Sequence, residues 1–115
     1  MSSEKDTTDF NTKYASEIAK TKSQYRRAWL ISVEGYEGLF RPPTIGEMRV
    51  YQDTLKKSFS EDSNVNSFDV YEILATSLFV CGDDFLKQDA SCISKVGEQL
   101  HIKILRSGDA LVKEL

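Results

Sequence analysis

The sequence predicts a mostly helical α+β fold. Three observations carry that prediction. A bulky, β-favouring run, Trp29-Leu30-Ile31-Ser32-Val33, is followed at once by Glu34-Gly35. Three later stretches repeat apolar residues at helical spacing. Helix-start signals, Thr44 with Glu47 and then Asp89, stand where those stretches open. The expected architecture is one antiparallel β-hairpin (about 26-41) packed with three to four helices (about 11-24, 45-59, 68-80, 90-115).

Residues 1–10 read as a flexible polar tail, and 11–115 as a single α+β domain. From Asn11 to Gln24 a helix is expected on Tyr14 and Ile18, with Ala15 and Ala19 adding propensity. In the strand that follows, Trp29, Ile31 and Val33 share one face, and Ala28, Leu30 and Ser32 the other. The stretch 34–38 supplies turn chemistry, and Leu39-Phe40-Arg41 returns as the second strand. A lone hairpin is marginal in water, so it must lie on helices or join further strands.

Pro42 and Pro43 end the hairpin, because neither donates to a ladder. Thr44 and Glu47 form a capping box for a helix to Phe59, whose stripe is Met48, Tyr51, Leu55 and Phe59. Residues 60–67 are a polar loop, and Asn66 or Ser67 caps the next helix. That helix, 68–80, is apolar on two sides (Tyr71, Leu74, Ala75 and Leu78; Val70, Ile73 and Val80), which suits a central position. Cys81-Gly82 is expected to close it, with Gly82 in the left-handed position past its end. Asp89 caps a final helix with the stripe Ile93, Val96, Leu100 and Ile104. Ser107-Gly108-Asp109 is expected to kink it before Leu111, Val112 and Leu115.

The 115 residues carry a net charge of -3. That charge is unevenly placed: 61–89 holds Glu61, Asp62, Asp69, Glu72, Asp83, Asp84 and Asp89 against Lys87 alone. This segment reads as a solvated acidic face, or as a docking surface for a basic partner. No apolar run reaches the roughly 20 residues of a membrane span. The start, MSSEKDTTDF, lacks the pattern of a signal peptide. An acidic chain is a poor general binder of nucleic acid, and Arg26-Arg27 with Lys56-Lys57 is a thin basic signal.

Little catalytic chemistry is visible. His101 is the sole histidine. Cys81 and Cys92 are not spaced for a metal, and read as reduced core residues. Asp83, Asp84 and Asp89 lack the alternating donors and closing Glu of a calcium loop. No phosphate loop, nucleophile elbow or triad is present. The expectation is a non-enzyme with no cofactor and no metal.

The order of signals carries a resemblance. A strand ends in Phe40-Arg41-Pro42, Thr44 opens a helix, and Phe68-Asp69-Val70 begins another. Then come Phe79-Val80-Cys81-Gly82-Asp83-Asp84, Asp89 and a last helix. Over residues 25–115 this resembles the small tail-assembly chaperones of long-tailed bacteriophages. A group of them carries an (F/L)(K/R)RP strand end and a W-x-G-G-D turn. Here Phe79 stands for the aromatic and Cys81 for the first glycine. The first 24 residues lie outside the resemblance.

The resemblance implies a non-enzymatic chaperone that binds the tape-measure protein and helps recruit tail-tube subunits. It would act in the cytoplasm of the infected bacterial host and be absent from the mature virion. It also implies that this chain is a candidate short form of a frameshifted pair. Ile102, Leu105 and Val112 fall off the main stripe of the last helix and are the candidate groove residues; the alternative is that they meet the N-terminal helix. Asp83 and Asp84 are the candidate acidic contacts. Self-association is compatible with all of this. Two other readings are a structural tail or connector protein, using the 26–41 hairpin for strand addition, and a small regulatory binding module.

Overall fold

The computed structural model describes residues 10–106 and 114. The chain is a mostly helical α+β fold built on a three-stranded antiparallel sheet. In order come α1 (Ala15–Tyr25), β1 (Trp29–Val33), β2 (Tyr36–Phe40), α2 (Ile45–Ser58), α3 (Ser67–Ser77), β3 (Phe79–Gly82), a 3-10 turn (Asp84–Lys87) and α4 (Ala90–Arg106). The strands lie in the order β1-β2-β3.

The hairpin forms where the sequence places it, with a tighter turn. Glu34 and Gly35 both have positive φ, 53° and 89°. Two left-handed residues make the two-residue turn that matches the twist of antiparallel strands. Strand β2 therefore begins at Tyr36, inside the stretch expected to be turn. Trp29 pairs with Phe40, Ile31 with Gly38 and Val33 with Tyr36.

The expected 68–80 helix stops at Ser77, and Phe79–Gly82 is a third strand. Leu39 pairs with Cys81 and Gly38 with Gly82. The reason is local and tertiary together. Phe79 and Val80 favour extended backbone, and the open side of β2 offers them a ladder. Gly82 is indeed left-handed, at φ 123°, but it ends a strand and not a helix.

The caps fall where expected. Thr44 accepts from the Glu47 N–H and donates its own N–H to the Glu47 carboxylate. Asn66 and Asp69 repeat the same box at α3. Asp89 accepts from the Cys92 N–H at 3.0 Å, opening α4.

One continuous core lies between the sheet and helices α2, α3 and α4. Ile31, Val33 and Phe40 meet Val70, Leu74, Leu78, Val96 and Leu100 there. Tyr51 is the buried residue of α2. Helix α1 lies on the opposite face. Leu39 is buried although it points away from Phe40, and its partner Cys81 has its thiol raised partly by the charge of Glu17 on α1. Phe10 is also buried, and its ring lies 4.5 Å from that of Tyr14, so the structure places Phe10 in the fold. The rest of the expected tail and the expected kink at 107–109 lie outside the described residues.

Candidate functional site

The polar residues that sequence reading singles out serve mainly to join elements. Arg41, just past β2, is the clearest case. Its guanidinium meets Glu47 in a two-pronged pair, Nη1 to Oε1 at 2.6 Å and Nη2 to Oε2 at 2.7 Å. Nη2 also donates to the Ser77 carbonyl at 3.0 Å, and the Arg41 N–H donates to the Leu78 carbonyl. The last turn of α3 has no basic residue of its own, so Arg41 supplies the cation that this helix end favours. Its guanidinium also lies 5.0 Å from the centre of the Tyr25 ring. One side chain thus ties α1, β2, α2 and α3. The hydrogen bonds from Arg41 hold the Glu47 carboxyl well below its usual 4.5, at about 2, against the opposing effect of burial.

Asp83 and Asp84 have distinct positions. Asp83 Oδ2 accepts from the Glu37 N–H at 2.9 Å, and the Asp83 N–H donates to the Glu37 carbonyl at 2.9 Å. This double bond pattern extends the β2–β3 ladder by a side chain. Asp84 opens the 3-10 turn and pairs with Lys87 at 3.4 Å. Both side chains are exposed, so the acidic surface expected of 61–89 includes them.

The helical candidates divide. Ile102 is half-buried, whereas Leu105 stands 68% exposed on the last turn of α4. Val112 lies outside the described residues. His101 is half-buried, and its Nδ1 shares a hydrogen bond with the Tyr51 hydroxyl. Its ring also packs edgewise against the rings of Tyr51 and Tyr71. Cys81 and Cys92 are free thiols, and burial pushes both above their ordinary value. Among the described residues, no three His, Cys, Asp or Glu side chains are placed to share a metal ion. Among the described residues, no helix is long and apolar enough to cross a membrane.

Three features escaped sequence reading. Phe59, expected as the end of the α2 core stripe, is 81% exposed at that helix's C-terminal cap. Its backbone is still right-handed, with the N–H bonded to the Lys56 carbonyl, but it stands past the last residue of α2, one turn beyond half-buried Leu55. Tyr36 and Phe85 form an exposed aromatic pair, with ring centres 4.6 Å apart, beside the Glu37–Asp83 connection. The third is a shallow groove between β1 and α4, lined by Leu30, Ser32, Glu34, Glu98, Gln99 and Lys103. The exposed apolar side chains include Phe59 and Leu105, each at the end of a core helix.

In comparisons with known protein families, curated proteins and solved structures, none matches the chain.

Proposed function

We propose that this protein is a non-enzymatic tail-assembly chaperone of a long-tailed bacteriophage. In this reading it binds the tape-measure protein, helps recruit tail-tube subunits in the host cytoplasm, and leaves before the virion is complete. The observation that carries the reading is the outward placement of Phe59 and Leu105 at the C-terminal ends of α2 and α4, helices that put Tyr51, Val96 and Leu100 into the core. An amphipathic helix of a client needs apolar anchors of this kind on its partner. The acidic segment 61–89 supports the same role, because like charge opposes self-aggregation of a carrier holding an apolar client. The polar clusters also favour binding over catalysis: Arg41, Glu47 and Asp83 are engaged in joining elements.

Co-expression with the tape-measure protein of the same genome tests the reading. The expected result is a soluble complex that survives gel filtration and is weakened by Phe59→Ser and Leu105→Ser. Unchanged tape-measure solubility with no complex overturns it. Stoichiometric presence in purified particles replaces it with a structural virion role.

A further inference from the structure

We propose that strand β1 is the joint of a two-fold dimer, in which two copies of this chain pair edge to edge into a six-stranded antiparallel sheet. The proposal is independent of the chaperone reading.

Among the described residues no strand pairs with the outer side of β1, and the backbone groups that face outward there can be assigned. Glu37 gives its N–H to Asp83 Oδ2 and accepts the Asp83 N–H at its carbonyl, so its backbone faces β3. Its partner across the hairpin is Ser32, which therefore belongs to a non-hydrogen-bonded pair. Two residues earlier, Leu30 opposite Leu39 has the same sense. The N–H and C=O groups of Leu30 and Ser32 consequently point outward along the free edge of the sheet. β1 carries none of the devices that usually blunt such an edge: it has no Pro, no charged residue and no bulge over Trp29–Val33.

What selects a second copy is the charge along the groove. At the turn end stand Glu34 and Glu98, with Lys95 3.5 Å from Glu34. At the other end stand Lys103 and, just before the strand, Arg26 and Arg27. The edge is acidic at one end and basic at the other, so it is complementary to itself turned end for end. A two-fold axis at Ile31 pairs Leu30 with the second copy's Ser32, and Ser32 with its Leu30. Each pair then exchanges two backbone hydrogen bonds, and all five residues of β1 are matched. The same rotation brings Arg27 and Lys103 of one copy to Glu34 and Glu98 of the other. This is the isologous arrangement that closed dimers use.

Sedimentation of the purified full chain over a range of concentrations, without any client, tests the proposal. The expected species is a dimer. Ser32→Pro removes an outward N–H and leaves the β1–β2 bonds in place, so it yields a monomer. Glu98→Lys and Lys103→Glu are exposed changes; each alone raises the dimer Kd by about tenfold, and together they return it towards wild type. If Ser32→Pro does not fold, the two charge reversals decide the matter. The proposal is overturned by a wild-type chain that stays monomeric at millimolar concentration. It is equally overturned by a dimer that ignores these changes, or by a double reversal no tighter than the single ones.

Discussion

Gly97 on α4 lies directly against the Cα and Cβ of Tyr71 on α3, leaving no room for a methyl group between the two helices. This contact lets α4 approach closely enough for Val96 and Leu100 to be fully buried. Gly97→Ala has to push the helices apart, because the atoms it meets are backbone and Cβ, not a flexible side-chain tip. The expected cost is at least about 2 kcal/mol, read as a shift of the urea midpoint. An unchanged midpoint would show that the helices have slack.

Gly82→Ala acts on the sheet instead. Its φ of 123° disfavours any side chain, and a β-carbon would fall 2.5 Å from the Glu37 carbonyl oxygen. The Glu37–Asp83 connection has to open to admit it. The substitution is expected to cost about 2–4 kcal/mol and to speed exchange of the Glu37 and Asp83 amide protons more than those of α4. Uniform loss of protection would contradict a local effect.

The Arg41–Glu47 pair predicts a pH dependence whose sign follows from the lowered Glu47 pKa. The folded value, about 2, lies below the ordinary 4.5. Its stabilisation is therefore complete above about 4.5 and is lost as the pH falls from there towards 2. Glu47→Gln removes this slope and costs about 1 kcal/mol at neutral pH, because it weakens both a partly buried ion pair and a helix cap. Chemical denaturation at several pH values, compared between wild type and Glu47→Gln, gives the difference curve. Parallel curves would mean that other carboxylates carry the acid sensitivity.

Leu100 and Leu105 separate folding from binding. Leu100 is fully buried, and its truncation to Ala leaves a cavity costing about 2–5 kcal/mol. Leu105→Ser and Phe59→Ser change exposed positions and are expected to stay within about 0.5 kcal/mol of wild type. If these two lower the melting temperature as much as Leu100→Ala does, their side chains are structural.

The thiols offer a check on packing. Cys92 is buried beside its cap Asp89, and Cys81 is half-buried in β3. Alkylation at neutral pH should modify Cys81 slowly and Cys92 only when the chain opens, so that mild denaturant accelerates Cys92 selectively. Rapid labelling of Cys92 in native buffer would contradict its burial.

The hairpin and the three helix caps were legible because each rests on neighbours in sequence: the turn residues from Glu34, Thr44 with Glu47, Asn66 or Ser67 before Phe68, and Asp89 before Ala90. Strand β3 was not. A run such as Leu78-Phe79-Val80-Cys81 is apolar throughout, so its period cannot distinguish a buried helix end from a buried strand. The aromatic and β-branched pair Phe79-Val80 before Gly82 was the available signal. Arg41's junction was illegible for another reason: it depends on the Ser77 carbonyl, 36 residues away, and on a ring of α1. The candidate surface was half legible. Leu105 follows from its offset to the α4 stripe, whereas Phe59 fits the α2 stripe by spacing and is exposed because it stands at the helix's C-terminal cap, beyond half-buried Leu55.

The placement of β3 also bears on how the chain is made. The central strand β2 is complete early in synthesis, yet its second neighbour belongs to the later half of the sequence, with the Glu37–Asp83 bond bridging 46 positions. The nascent chain must therefore carry an unfinished sheet until Gly82 has left the ribosome. A break in the 60–66 loop would divide the sheet between two fragments, neither able to finish it alone, and mixing them should restore the fold by complementation.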